Sequence, residues 1–407
     1  MGKFFLRFFL LILIILVSTV IFLSYFGIET DRFDNFIKNK ANTINRYVKL
    51  NFNKTKIHLN VRELNLLLKL QDPKILVKGN EIDLNKLDLF LSLKSFYNSD
   101  FLLEKAYIGF EKNDIKDLTK ITNIFLPRII NKQLNKVFTS GSLEGEFFIP
   151  FETDGSIGKN YGFSGKILDA SINLTRELNI KNLTTEINYG QEIENDGFTA
   201  KVKKGSFLGF ELADSTINLK REKDETKIKS LLQTKGQFDL NKINKITSLF
   251  GLNIEAIKDI NGTANLKTNI VFNLDKRFRV KNLLYSSSGN INHLELYSQG
   301  KRTIEKYLPQ YRSKITLKDT RVKFVKSKSD QITELDGLIK ISNSFNNFKI
   351  KEKYNHSKKN FDIEGVLDLT NSEVNVSKLN YMKDRGIESK LNFKTTFVVN
   401  KYYNINK

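Results

Sequence analysis

The sequence predicts a mainly β protein carried by one N-terminal transmembrane helix. Three observations carry that expectation. Phe8 to Phe26 is a 19-residue stretch without a charge. From Lys56 onward apolar residues recur at every second position, the period of a strand with one apolar face. Helical periodicity interrupts that alternation in only a few short segments.

The apolar stretch, at 1.5 Å per residue, makes a helix about 28 Å long, against a hydrocarbon core of about 30 Å. Lys3 and Arg7 precede it, and Glu29 and Asp31 follow. By the positive-inside rule the N-terminus stays cytoplasmic and the remainder crosses. A cleaved signal peptide would carry only about 7–15 apolar residues and end at small side chains. Ser24-Tyr25-Phe26-Gly27 offers no such site. Residues 1–28 are therefore read as a single-pass anchor.

Residues 29–50 read as an amphipathic helix. Phe33, Phe36, Ile37, Ile44, Tyr47 and Val48 fall on one face, Lys38, Lys40 and Arg46 on the other, and Thr30 or Asp31 serves as cap. Such a helix suits either the membrane surface or the first sheet, and the two placements are compatible. Residues 51–112 read as a β-ladder, with Ile57, Leu59 and Val61, then Leu64 to Leu70, then Leu87, Leu89, Leu91 and Leu93 alternating, and Phe101 to Phe110 as a further strand. Residues 113–138 return to helix, with Leu118, Ile121, Phe125 and Ile129 on its apolar side, Asp114 as cap and a break at Pro127. Residues 139–407 are strands again, with one helical insert near 239–260 that carries Leu240, Ile243, Ile246 and Phe250 and ends at Gly251.

Within this last region Leu143, Phe147, Ile149 and Phe151 share a face, and Gly145 occupies an apolar slot. The rhythm returns at Ile270, Phe272 and Leu274, and at Phe361, Ile363, Leu367 and Leu369 around Gly365. A short theme also recurs: Asp169-Ala-Ser-Ile-Asn-Leu, Asp214-Ser-Thr-Ile-Asn-Leu and Asp319-Thr-Arg-Val-Lys-Phe. Each reads as an Asp turn residue feeding an alternating strand, a degenerate repeat rather than a strict solenoid.

Composition narrows the function. The chain has no cysteine, which excludes disulfides, thiolate metal sites and a cysteine nucleophile. The formal charge is +21, but the lysines are spread among many Asn and Ile rather than gathered in a basic block. Nucleic acid is therefore not expected; codon bias and attraction to anionic headgroups both account for the charge. His58, His293 and His356 have no metal-binding spacing. There is no nucleophile elbow, phosphate loop or dinucleotide fingerprint, and Gly155-Ser-Ile-Gly158-Lys159 lacks the length of a phosphate loop. No enzyme, cofactor or metal is expected.

The strands leave an accounting problem, because few helices remain to cover their apolar faces. A sandwich or closed barrel would bury them. A sheet curled into a trough lined by lipid tails would do so as well, and the residues alone leave both open.

The segments Asp31-Arg32-Phe33-Asp34-Asn35-Phe36-Ile37, Lys56-Ile57-His58-Leu59-Asn60-Val61 and Phe101-Leu-Leu-Glu-Lys-Ala-Tyr-Ile108, following one transmembrane helix, resemble the start of the AsmA-like family. That family belongs to Gram-negative envelopes and is similar in plan to chorein-type bridge proteins. Gly145-Glu-Phe-Phe, Gly165-Lys-Ile-Leu-Asp-Ala and Ile180-Lys-Asn-Leu resemble its YhdP branch. Members of the YhdP and TamB type are usually much longer, so a fragment or a short relative is expected.

The resemblance implies an elongated, curved antiparallel β-groove, a U-shaped trough, with a few short helices. It implies an inner-membrane anchor, a periplasmic body, and phospholipid carried toward the outer membrane. Outer-membrane or other envelope proteins are the further partners; no reaction and no cofactor are implied. The expected lining is Leu87, Leu89, Leu91, Phe147, Ile149, Phe151, Ile270 and Phe272. The alternative is an envelope assembly or scaffold protein that binds client strands by β-augmentation.

Overall fold

The protein is described by a computed structural model covering residues 2–44, 48–77, 80–93, 102–122, 136–173, 178–190, 197–222, 224–249, 257–277, 279–298, 314–341, 343–376, 380–398 and 401–406. Tyr47, Phe101, Phe125, Pro127, Ile129, Phe250 and Gly251 lie outside these residues. Strands make up 69% of the structure, against roughly 20–25% in ordinary globular proteins. Sheet faces, rather than helix stripes, are therefore what this chain has to cover. The sheet is antiparallel, open rather than closed into a barrel, and holds 21 strands, with a separate two-stranded ribbon. The chain divides into two compact units, Met1–Asn173 with Thr184–Phe198, and Leu174–Leu183 with Thr199–Lys407.

The first unit opens with helix α1 (Gly2–Tyr25), whose segment Phe4–Tyr25 is long and apolar enough to cross a membrane. Gly27 then turns the chain at φ +65°, where an added Cβ would lie 2.6 Å from the Ile57 carbonyl oxygen. Only glycine fits both the dihedral and the approach. The segment expected as one helix over 29–50 is split. Its start belongs to β1 (Ile28–Thr30), α2 covers Asp34–Ile44, and its end enters β2 (Val48–Asn51). The reason is pairing: β1 joins β3 (Thr55–Asn60) and β2 joins β5 (Lys74–Val77), so sheet ladders take the backbone groups at both ends.

Next come β4 (Asn65–Leu70), β6 (Asn80–Ser92), β7 (Leu103–Asp114), β8 (Phe138–Pro150) and β9 (Gly162–Asn173). They pair in the order β3–β4–β6–β7–β8–β9, while β5 joins the first residues of β6. Between β7 and β8, α3 (Ile115–Thr122) is capped by Asp114, whose Oδ1 accepts the Lys116 N–H at 2.7 Å.

β10 (Asn179–Tyr189) and β11 (Gly197–Phe207) contribute residues to both units. The second unit continues through β12 (Phe210–Arg221), β13 (Glu225–Asp239), α4 (Leu240–Leu249), β14 (Ile257–Asp275), β15 (Val280–Ser298), β16 (Lys314–Lys326), β17 (Asp330–Ile341), β18 (Ser344–Asn355) and β19 (Asn360–Asp368). The ribbon β20 (Val374–Val376) and β21 (Tyr381–Lys383) follows, then β22 (Lys390–Val398) and β23 (Lys401–Asn406). From β12 to β19 each strand pairs with the next, and β19 pairs with β22. Asp239 caps α4 by accepting the Lys242 N–H at 2.8 Å. In the β14–β15 turn, Asp275 accepts the Arg279 backbone N–H and its guanidinium, which push its carboxyl down to about 2.

The recurring Asp theme has a different structural meaning from the turn it suggests. Asp169, Asp214 and Asp319 lie inside strands at φ 48°, 45° and 45°. Register shifts of the ladder fall at all three. They are β-bulges, because Asp tolerates the left-handed region and one extra residue can then be absorbed. A small residue follows each Asp and is fully buried: Ala170, Ser215 and Thr320. Ser215 Oγ accepts the Gln233 N–H at 2.8 Å and donates to the Ala213 carbonyl at 3.1 Å, so it repairs the broken ladder. Asp214→Val, which places a β-branched residue at positive φ, is expected to cost about 1–2 kcal/mol, and Asp214→Asn a few tenths. Denaturant midpoints of the two variants check this.

Candidate functional site

Register in the second unit aligns apolar side chains into rows across many strands. Ile228, on β13, faces Phe272, while Ile270 faces Ser230 and Tyr285. Farther along, Val322, Leu335 and Ile350 stand opposite one another and continue to Gly365 and Phe393. The next row toward the β17–β18 turn holds Phe348, Leu367 and Leu391. Most of these side chains remain partly exposed, and Leu391 is 48% exposed.

Among the described residues, protein lies over this face in places. At one place Leu240, Ile243 and Ile246 of α4 pack on Phe210, Phe238, Ile260 and Ala264. At another, near the ribbon, Leu317 and Phe348 are buried and Asn346 donates to Ser372 Oγ at 2.7 Å. The opposite face is charged. Glu334 lies 3.8 Å from Lys323 and 3.4 Å from Lys351, and Arg321 is 3.2 Å from Asp336.

Glycines on the apolar face are roofed by phenylalanine rings. Phe163 lies over both Gly145 and Gly165, Phe238 over Gly262, and Phe393 over Gly365, each within 2.7 Å of where a Cβ would stand. The ring replaces the side chain that the strand lacks and keeps the face apolar at those positions.

The first unit uses its apolar face differently. Leu87, Leu89 and Leu91 are buried, Leu91 to 1% exposure, in a core closed by Phe33 and Ile37 of α2 with Leu50 and Phe52. The helix thus lies on the sheet. Register joins Leu87 to Ile108 and Phe147, and Leu89 to Ala106 and Ile149, so these expected lining residues share one face. Phe147 is 42% exposed and its ring centroid is 4.6 Å from that of Phe163. Ile149 is partly buried, and Phe151 packs against the core edge. Ile270 and Phe272, in the second unit, are partly exposed.

On the first unit's other face, an open cavity of about 1450 Å³ is lined by Lys56, His58, Lys69, Lys86, Asp88 and Glu146 among others. Lys86 bridges Glu146 at 2.7 Å. Burial pushes the Asp88 carboxyl up, against the pull of Lys86 and Lys69. Burial likewise pushes His58 down, although its Nδ1 lies 3.4 Å from the Ser24 carbonyl. Each of the other two histidines has its own neighbour, His293 beside Glu295 and His356 against Tyr354. Among the described residues no group of three or more His, Asp or Glu is placed to hold a metal ion.

Alternation revealed strand faces but not the rows. Only cross-strand register aligns Val322 with Leu335 and Ile350. Compared with known proteins, the chain matches no family, no curated protein and no solved structure.

The two units predict different tolerances. Leu91→Asp buries a charge in a closed core and is expected to cost more than about 4 kcal/mol. Leu391→Asp, on the half-open face, is expected to cost less than about 1 kcal/mol. Unfolding curves of the two variants check the contrast.

Proposed function

We propose that this is a membrane-anchored lipid carrier, whose apolar sheet face holds phospholipid acyl chains. One observation carries the reading: the rows through Val322, Leu335, Ile350 and Phe393 are apolar, continuous and uncovered by helix among the described residues. Exposed apolar surface of that extent is costly in water and is relieved by a dry occupant. An adjoining bilayer supplies acyl chains without their passing through water.

The direction of insertion follows the charges around α1. Lys3 and Arg7 stay cytoplasmic and the sheet stands on the far side, the periplasm of a bacterial inner membrane. The AsmA-like resemblance agrees with this placement and with transfer toward the outer membrane.

A photoreactive amino acid introduced into the full chain in its own membrane tests the reading. At Ile350 and Phe361, on the apolar face, it is expected to yield phospholipid adducts by mass spectrometry. At Lys351 and Asp362, on the charged face, it is expected to yield few. Equal yields on both faces, or protein adducts alone at Ile350, would replace lipid carriage with client-strand binding.

A further inference from the structure

The apolar face of the second unit is uncharged at nearly every position that register assigns to it. Between β13 and β22 the exceptions among the described residues are Lys326 and Glu352. Glu352 stands opposite Thr333 on one side and Ile363 on the other, with Ile350 and Tyr354 along its own strand. It makes no ion pair among the described residues, and burial raises its carboxyl above the ordinary range. Lys326 has no carboxylate in ion-pair reach among the described residues and lies 5.7 Å from the Tyr285 ring.

The two charges sit toward the same ends of their strands. Lys326 closes β16, next to the turn into β17, and Glu352 lies close to the turn from β18 into β19. Register runs Lys326–Gln331–Tyr354, so Lys326 falls two strands over and one row outward from Glu352. With about 4.8 Å between strands and about 6.8 Å between same-face residues, their backbones stand about 12 Å apart. Both side chains are long enough to lean into that gap. Two unpaired charges of opposite sign on an apolar face are complementary to a group carrying both signs.

We infer that this rim seats the head group of a zwitterionic, amine-bearing phospholipid, its phosphate toward Lys326 and its ammonium toward Glu352. The acyl chains then lie on the uncharged rows at Leu335, Ile350 and Phe393. This inference rests on the lipid-carrying function proposed above and adds the lipid class. An anionic lipid without an amine would leave the Glu352 carboxylate without its ammonium partner.

The test uses the full chain in detergent, equilibrated with vesicles of equal parts phosphatidylethanolamine and phosphatidylglycerol. The protein is recaptured and its bound lipid quantified by mass spectrometry. Lipid held around α1 is common to all variants and cancels in the comparison. The unmodified chain is expected to be enriched in phosphatidylethanolamine about two- to five-fold, the scale of one partly exposed ion pair. Glu352→Gln, nearly isosteric, should bring the ratio close to one, and Glu352→Lys should tip it toward phosphatidylglycerol. The double exchange Lys326→Glu with Glu352→Lys should restore the preference. Bound lipid in equal proportions, unchanged by Glu352→Lys, would overturn the head-group site and leave lipid carriage standing. No lipid beyond the α1 shell in any variant would overturn both.

Discussion

The constraint on which the structure depends is the covering of an open, very large antiparallel sheet. Each strand presents two faces, and each apolar face left in water costs about 25 cal/mol per Å². A closed barrel would remove its edges and bury one face at once, but this sheet does not close. The chain supplies four described helices, one of which is the membrane-spanning candidate. The remaining three cannot cover the faces of 21 strands. Local lids therefore exist where α2 and α4 lie, and the row through Val322, Leu335 and Ile350 is partly exposed.

The charged face sets register more than stability. Its lysines and carboxylates stand at the surface, where each ion pair is worth about 0–1 kcal/mol. Their effect is on specificity: a slip of one residue would turn Lys349, Lys351 and Lys353 onto the apolar side and expel Ile350 and Phe348 from it. Charge on alternate positions thus penalises every odd register. The bulges at Asp169, Asp214 and Asp319 complete the device, because each absorbs a residue within a long strand without transposing the faces beyond it.

The apparent redundancy of the Asp theme has the same origin. A small, fully buried residue follows a left-handed Asp at all three places, and at Ser215 and Thr320 a hydroxyl bonds to a backbone carbonyl two residues back. Recurrence of residue type reflects recurrence of a backbone problem, a long twisted strand that has to absorb an extra residue.

The sequence by itself determined what local physics determines. The uncharged stretch up to Phe26 made a helix long and apolar enough to cross a membrane, alternation made the strands, and Asp114 capped a helix start where expected. Tertiary structure decided what lies on top of a face. Leu87, Leu89 and Leu91 have the same alternation as Val322 and Phe324, yet the first three are sealed under α2 and the latter are half open. It also decided the helix limits within residues 29–50, where ladders with β3 and β5 won the backbone groups at either end. The physical reason is that periodicity is a property of one strand, whereas register and cover belong to strands far apart in the chain. No single-strand pattern encodes which neighbour a face will meet.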